Sequence, residues 1–193
     1  MSKSLQGAPS VNLLAVDTAT EGCSAACLAG DKSFERYAVD PQGHSRTLLG
    51  MVEAVLAEAR LERSALDALA YDAGPGSFTG IRIGAGVAQG LALGLEKPLL
   101  AVSSLMALAE GARREQPDCN SILAAIDARM DQVYWARLES DPEAPGHWRW
   151  DEMPCVSEPR AVAAHIFGCT GVGSGWDRYS DVFMGDRPMP WLA

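Results

Sequence analysis

Leu13-Leu-Ala-Val-Asp-Thr-Ala-Thr-Glu-Gly-Cys-Ser-Ala-Ala-Cys-Leu28 and Ile122-Leu-Ala-Ala-Ile-Asp-Ala-Arg-Met-Asp-Gln-Val-Tyr-Trp-Ala-Arg-Leu138 decide the fold. Each is an apolar strand ending in an Asp, then a turn, then a second apolar stretch. Laid over each other without a gap they match at Leu13 and Leu123, Ala15 and Ala125, Val16 and Ile126, Asp17 and Asp127, Ala26 and Ala136, and Leu28 and Leu138. A repeated opening hairpin predicts an internal duplication, hence two related α/β halves.

Outward from the first hairpin, Ser33 to Val39 reads as a third strand of a meander. From His44 the period changes: Leu48, Leu49, Val52, Val55 and Leu56 recur at three and four, the pattern of an amphipathic helix. A brief strand, Ala68 to Asp72, runs into Ala73-Gly-Pro-Gly-Ser-Phe-Thr-Gly80 and a second helix over Ile81 to Leu95. In that helix Gly80, Gly84, Ala88 and Ala92 form one four-residue stripe, and Gly86, Gly90 and Gly94 lie on another. Each interior Gly costs about 1 kcal/mol against Ala. Close approach of another backbone would offset that, from this chain's own sheet or from another subunit. A strand at Leu99 to Val102 completes the first half, and a helix from Ser103 to about Arg114 follows. In the second, Ser140 to Trp150 reads as a loop or hairpin tip, Pro159 to Phe167 as a short helix, and the tail from Trp176 as having little pattern and no closing helix.

With 193 residues, 48% of them hydrophobic and 21% charged, the chain can bury a core and is not disordered. The formal net charge of −9 disfavours direct binding of a phosphate backbone. No window of about 18 consecutive apolar residues is found, so no membrane span is expected. Residues 1–10 read as a polar, disordered tail rather than a signal peptide, which points to the cytoplasm. Five scattered cysteines (Cys23, Cys27, Cys119, Cys155, Cys169) fit reduced, buried thiols and not a disulfide framework.

Two places could carry chemistry. The glycine loop between strand and helix offers backbone N–H groups to an anion, but it lacks the Lys-Ser/Thr ending of a P-loop. A tight turn needing positive φ at Gly74 and Gly76 explains it equally. Asp17 and Asp127 end their strands where carboxylates can hold Mg²⁺ through water, or simply cap turns. Asp17, Thr18, Gly74, Gly76, Ser77, Thr79 and Asp127 are thus the candidate nucleotide or phosphate residues. His44, His147 and His165 have no partner at ligand spacing, and no nucleophile motif is present.

Taken in order, Leu14-Ala-Val-Asp-Thr-Ala-Thr20, His44-Ser-Arg46, Gly74-Pro-Gly-Ser-Phe-Thr-Gly-Ile-Arg82, Gly86-Val-Ala-Gln-Gly-Leu-Ala-Leu-Gly94, Pro98, Asp127-Ala-Arg-Met-Asp-Gln-Val-Tyr134 and Gly173-Ser-Gly-Trp176 resemble the TsaB (YeaZ) family. That family is the bacterial accessory protein of tRNA threonylcarbamoyladenosine (t6A) synthesis. The resemblance implies an actin/hexokinase/Hsp70-like fold with two lobes, residues 11–102 and 103–193, the second apparently cut short because relatives run some thirty residues further. It implies a non-catalytic paralogue of TsaD, since the positions of TsaD's metal-binding histidines fall at Ser104 and Leu108. It further implies a TsaB–TsaD heterodimer through the first two helices, with Leu48, Leu49, Val52, Val55, Leu56, Ile81, Gly84, Val87, Ala88 and Leu91 as the interface. TsaE would join that complex, and a homodimer would form when TsaD is absent. Contact with tRNA would come only through the complex; no intrinsic cofactor or metal is implied, and ATP or ADP would have its place in the complex. Two other readings stand beside this one, a metal-independent peptidase and a small ATP-binding kinase of the same fold.

Overall fold

The computed structural model describes residues 11–39, 43–144, 146–185 and 191–192. The expected disordered tail, residues 1–10, lies outside them. The chain divides into two units: the first runs to Asp72 and resumes over Phe78–Ala101, and the second takes Ala73–Ser77 and continues from Val102.

The first unit starts with β1 (Asn12–Asp17), β2 (Gly22–Ala29) and β3 (Lys32–Val39), an antiparallel meander. Then come α1 (His44–Ala59), β4 (Ala68–Asp72), α2 (Phe78–Leu95) and β5 (Leu99–Val102). β4 lies parallel to β1, and the sheet order is β3-β2-β1-β4-β5. Alternation sends Leu14, Val16, Cys23, Ala25 and Cys27 to one face, where Leu48, Val52, Val55 and Leu56 of α1 and Ala88 and Ala92 of α2 close over them. α1 ends where Arg60 turns left-handed (φ 53°) and gives its N–H to the Ala57 carbonyl.

The second unit repeats this plan. It contains α3 (Ser104–Glu115), β6 (Ser121–Arg129), β7 (Gln132–Ser140), β8 (Trp148–Ser157), α4 (Pro159–Val162), β9 (Thr170–Val172), α5 (Ser174–Met184) and β10 (Trp191–Leu192). Its sheet order is β10-β9-β6-β7-β8, with the same parallel β6–β9 and antiparallel β6–β7 and β7–β8 pairs. Strand for strand this is the first sheet again, and the duplicated actin/hexokinase/Hsp70-like plan is present in both units.

The gapless superposition needs one correction. Along most of β6 and β7 the pairing is Leu123 with Arg137 and Asp127 with Val133, but next to the turn Arg129 faces Gln132, so a bulge between Asp127 and Arg129 shifts the register by one. A one-residue slip exchanges faces. Leu123 and Ala125 therefore sit under α4 and α5 with Val133 and Trp135, as Leu14 and Val16 sit under α1 and α2. Ala124 and Ile126, the gapless counterparts of Leu14 and Val16, go to the opposite face with Leu105, Ala109 and Ala112 of α3.

Other expectations are also corrected. The tail is not patternless: α5 buries Trp176, Tyr179 and Phe183, three and four apart, against β6 and β7. The Trp176 indole N–H donates to the Leu123 carbonyl at 2.9 Å, a bond across 53 residues that no local pattern announces. α4 stops at Val162, and the hairpin-tip reading of Ser140 to Trp150 holds: β7 ends at Ser140, β8 starts at Trp148 and the two pair antiparallel. Cys23, Cys27 and Cys169 are buried, yet Cys119 is half-buried and Cys155 exposed. Finally, α2 has the length and average composition of a membrane-crossing helix, at 18 residues and mean hydropathy 1.2, although it contains no long unbroken apolar run. Glycines interrupt its apolar runs without lowering its average much. Its small-residue stripe, Gly80, Gly84, Ala88 and Ala92, is the part buried within the first unit.

Candidate functional site

The first candidate is the outer surface of α1 and α2. The inner stripe of α2 can approach its own sheet because it is small. Thr18 donates its hydroxyl to the Gly80 carbonyl at 2.7 Å, and a Cβ on Gly84 would stand 2.7 Å from that same oxygen. Of the ten residues expected at a partner interface, Leu48, Val52, Val55, Leu56, Gly84 and Ala88 are instead interior. They are committed to the first unit's own core. Ile81, Val87 and Leu91 are half-buried, and Leu49 is exposed.

What the outer surface does present is a different stripe. Phe78, Arg82, Gly86, Gly90 and Gly94 follow one another at four-residue steps, and all are exposed. Phe78 is 71% exposed, Leu93 beside Gly90 82% and Leu49 48%. The Arg82 guanidinium lies over the Phe78 ring at 3.3 Å. A Cβ at Gly86, Gly90 or Gly94 would meet nothing within 4 Å. These three glycines are therefore not required by packing inside the described unit. Sequence reasoning saw both stripes; only the backbone told which one faces inward.

The second candidate is the set of strand ends. Asp17 Oδ1 accepts from the Ala19 N–H at 2.7 Å, and Asp127 Oδ1 accepts from the Arg129 N–H at 3.0 Å, so both close the same two-residue turn. They diverge beyond that. Asp17 ends β1 beside Asp72 of the parallel β4. Burial pushes its pKa up, against the lowering effects of the Ala19 N–H, Asp72 and His44. Asp127 is paired with Arg178 at 2.8 Å, a partner 51 residues away that sequence reading missed. Thr18 is buried and its hydroxyl is spent on Gly80. In the loop, Gly74 is buried with φ 93°, a turn only glycine adopts easily; Gly76 does not share the positive φ expected of it. Ser77 and Thr79 are exposed.

The Asp17 site gives a pH test. A raised folded pKa means the proton is held more tightly in the folded chain. The associated stability is complete below the ordinary carboxylate value and is lost as pH rises through the raised one. Asp17→Asn keeps an oxygen for the Ala19 N–H and removes the charge. Its Tm should exceed the parent's at neutral pH, and the gap should shrink as pH falls toward about 4, near the free carboxyl value. Melting curves across that range check it; a gap independent of pH would refute it.

Nucleophilic chemistry finds little support in the thiols. Burial raises the pKa of Cys27, and that of Cys169 to about 11; at the exposed Cys155, partial desolvation and the neighbouring Glu152 carboxylate raise it, so none of the three is activated as a thiolate. Among the described residues no group of three or more His, Cys, Asp or Glu is arranged to hold a metal ion. Ser104 is buried and Leu108 half-buried on α3.

With this geometry in hand, similarity to known proteins is specific. The profile of the family TsaD: tRNA N6-adenosine threonylcarbamoyltransferase matches residues 39–144. The tRNA threonylcarbamoyladenosine biosynthesis protein TsaB of Escherichia coli K12 is 42% identical over 176 residues, covering 89% of this chain and 75% of that protein. TsaB of Haemophilus influenzae is 38% identical over 177 residues, covering 88% and 75%. Among solved structures, YeaZ from Pseudomonas aeruginosa superposes with a TM-score of 0.83 at 42% identity, over 95% of this chain and 84% of that one. A repeated α/β plan, an Asp-closed turn in each half, and close similarity to these proteins over most of their length make this chain a member of the TsaB (YeaZ) family.

Proposed function

We propose that this chain acts in t6A synthesis as an accessory, non-catalytic subunit that pairs with a TsaD protein through the outer face of α1 and α2. TsaE joins that assembly, which transfers the threonylcarbamoyl group to adenosine 37 of tRNAs reading ANN codons, with ATP or ADP bound in the complex. The observation that carries the reading is the exposed stripe Phe78–Arg82–Gly86–Gly90–Gly94, flanked by Leu93 and Leu49. Interior glycines cost helix stability, and a Cβ added at any of these three would meet nothing within 4 Å. A partner helix approaching its backbone closely would offset that cost, and the apolar side chains beside it form a surface that otherwise favours self-association. The net charge of −9 fits a subunit that meets tRNA through its partner.

The test is co-purification of tagged chain with TsaD. Leu93→Glu and Leu49→Glu change exposed positions and should leave the unfolding free energy within about 0.5 kcal/mol of the parent's. Each should weaken the TsaD complex by tenfold or more, about 1.4 kcal/mol, and abolish any homodimer seen by light scattering. Gly90→Ala should raise the isolated chain's stability by about 0.5–1 kcal/mol while weakening the complex. Undiminished capture of TsaD by all three variants would overturn the interface.

A further inference from the structure

The two sheets repeat one ladder of side chains and treat it differently. In the first, Leu13 stands opposite Leu28 and Ala15 opposite Ala26; in the second, Ile122 stands opposite Leu138 and Ala124 opposite Ala136. The parallel neighbours correspond as well, Ala68 and Ala70 beside Leu13 and Ala15, Thr170 and Val172 beside Ile122 and Ala124. By alternation these residues take the face away from α1 and α2 in the first unit, and the face away from α4 and α5 in the second.

In the second unit that face is closed. α3 packs on it, and its Leu105, Ala109 and Ala112, spaced by four and three, leave Ile122, Ala124, Ala136 and Leu138 with no exposure at all. In the first unit both helices, α1 and α2, lie on the other side. Leu28 is 38% exposed where Leu138 is 0%, and Leu13, Ala15 and Ala26 are only half-buried. Tyr37 and Leu100 extend the same surface, 67% and 49% exposed. A contiguous apolar face open to water marks a contact surface.

Chain order and charge identify what fits there. β5 and β10 hold the same outer place in their sheets, each beside the strand that runs parallel to the first. β5 leads directly into α3, the helix that closes the second sheet. On the same plan, polypeptide following β10 supplies the helix that closes the first. The E. coli TsaB relative, of which this chain covers 75%, has further polypeptide to place. Alternation also sets Asp17, Glu35 and Asp72 on this face, whereas Lys32 and Arg36 point to the α1 side. Among the strand residues of this face there is no Lys or Arg. A helix bordered by basic side chains is attracted to such a face, and one bordered by acidic side chains is repelled.

We propose that this face seats an amphipathic α-helix of α3's kind, with Leu and Ala at three- and four-residue steps and basic side chains along its borders, carried by the polypeptide that follows the counterpart of β10 in the longer relatives. No residue of this face belongs to the outer surface of α1 and α2, so failure of one reading leaves the other standing.

A synthetic peptide of the E. coli TsaB residues that follow its match to this chain, added to the full chain, tests this by methyl NMR. It should shift the Leu13, Leu28 and Leu100 signals, bind at about 100 µM or tighter, and raise Tm as it saturates. Leu28→Glu and Leu100→Glu, both at exposed positions, should each weaken it tenfold or more. Leu93→Glu on α2 should leave it unchanged. A scrambled peptide, and one with its Lys and Arg replaced by Glu, should bind at least tenfold more weakly. Absence of binding at about 1 mM, shifts at Ile122 and Leu138 instead, equal binding of either control peptide, or undiminished binding by both Leu28→Glu and Leu100→Glu would overturn the proposal.

Discussion

Gly171→Ala should destabilise the chain by about 3 kcal/mol or more, at or above the usual limit for overpacking. A Cβ at Gly171 would stand 2.3 Å from the Trp176 ring, far inside van der Waals contact. The indole cannot step aside. It is fully buried, its N–H is fixed to the Leu123 carbonyl, and Phe183 packs edge-on against it at 5.0 Å. For a chain of this size, Tm should drop by roughly 6–12 °C. Trp176→Ala alone should cost about 3–5 kcal/mol through lost packing. In the double variant the clash disappears with the ring, so the two losses should be far from additive. Additive losses in thermal or urea denaturation would mean that Gly171 and Trp176 do not touch as described.

Ala88→Arg should unfold the first unit. Ala88 is fully buried in the core that joins α2 to β1 and β4. A guanidinium forced there has neither water nor a carboxylate, a cost of several kcal/mol. Circular dichroism of the isolated variant should show lost helix and a collapsed transition, whereas Leu93→Glu on the same helix should melt like the parent. A folded Ala88→Arg chain would show that the small-residue stripe of α2 is not interior. Failure of this variant to bind a partner would report folding alone, which is why the exposed positions are the useful probes of the surface.

The contrast between Ala88 and Leu93 also marks where the sequence stopped being legible. Periodicity placed the start of α1 at His44, and the paired hairpins disclosed the duplication, because both signals are local in the chain. Which glycine stripe of α2 faces inward depends on a contact between Thr18 and Gly80, 62 residues apart. The face of β6 depends on a bulge between Asp127 and Arg129 whose unpaired residue, Ala128, looks ordinary in the sequence. At the strand ends, the Asp-closed turns could be read from residue type, but the Arg178 partner of Asp127 lay in a tail that seemed to have no pattern. Of the residues expected at a partner surface, most lie on the inward sides of α1 and α2, since apolar residues at helical spacing mark a core more reliably than an interface.

The chain passes between its two units three times, at Asp72–Ala73, Ser77–Phe78 and Ala101–Val102. A protease that nicked any one of these crossings would leave the halves tethered by the others. Nor can either unit be cloned as one uninterrupted stretch of the gene, because five codons of the second are embedded within the first. The two copies of one plan are thus interlaced along the chain, and separating them takes three cuts rather than one.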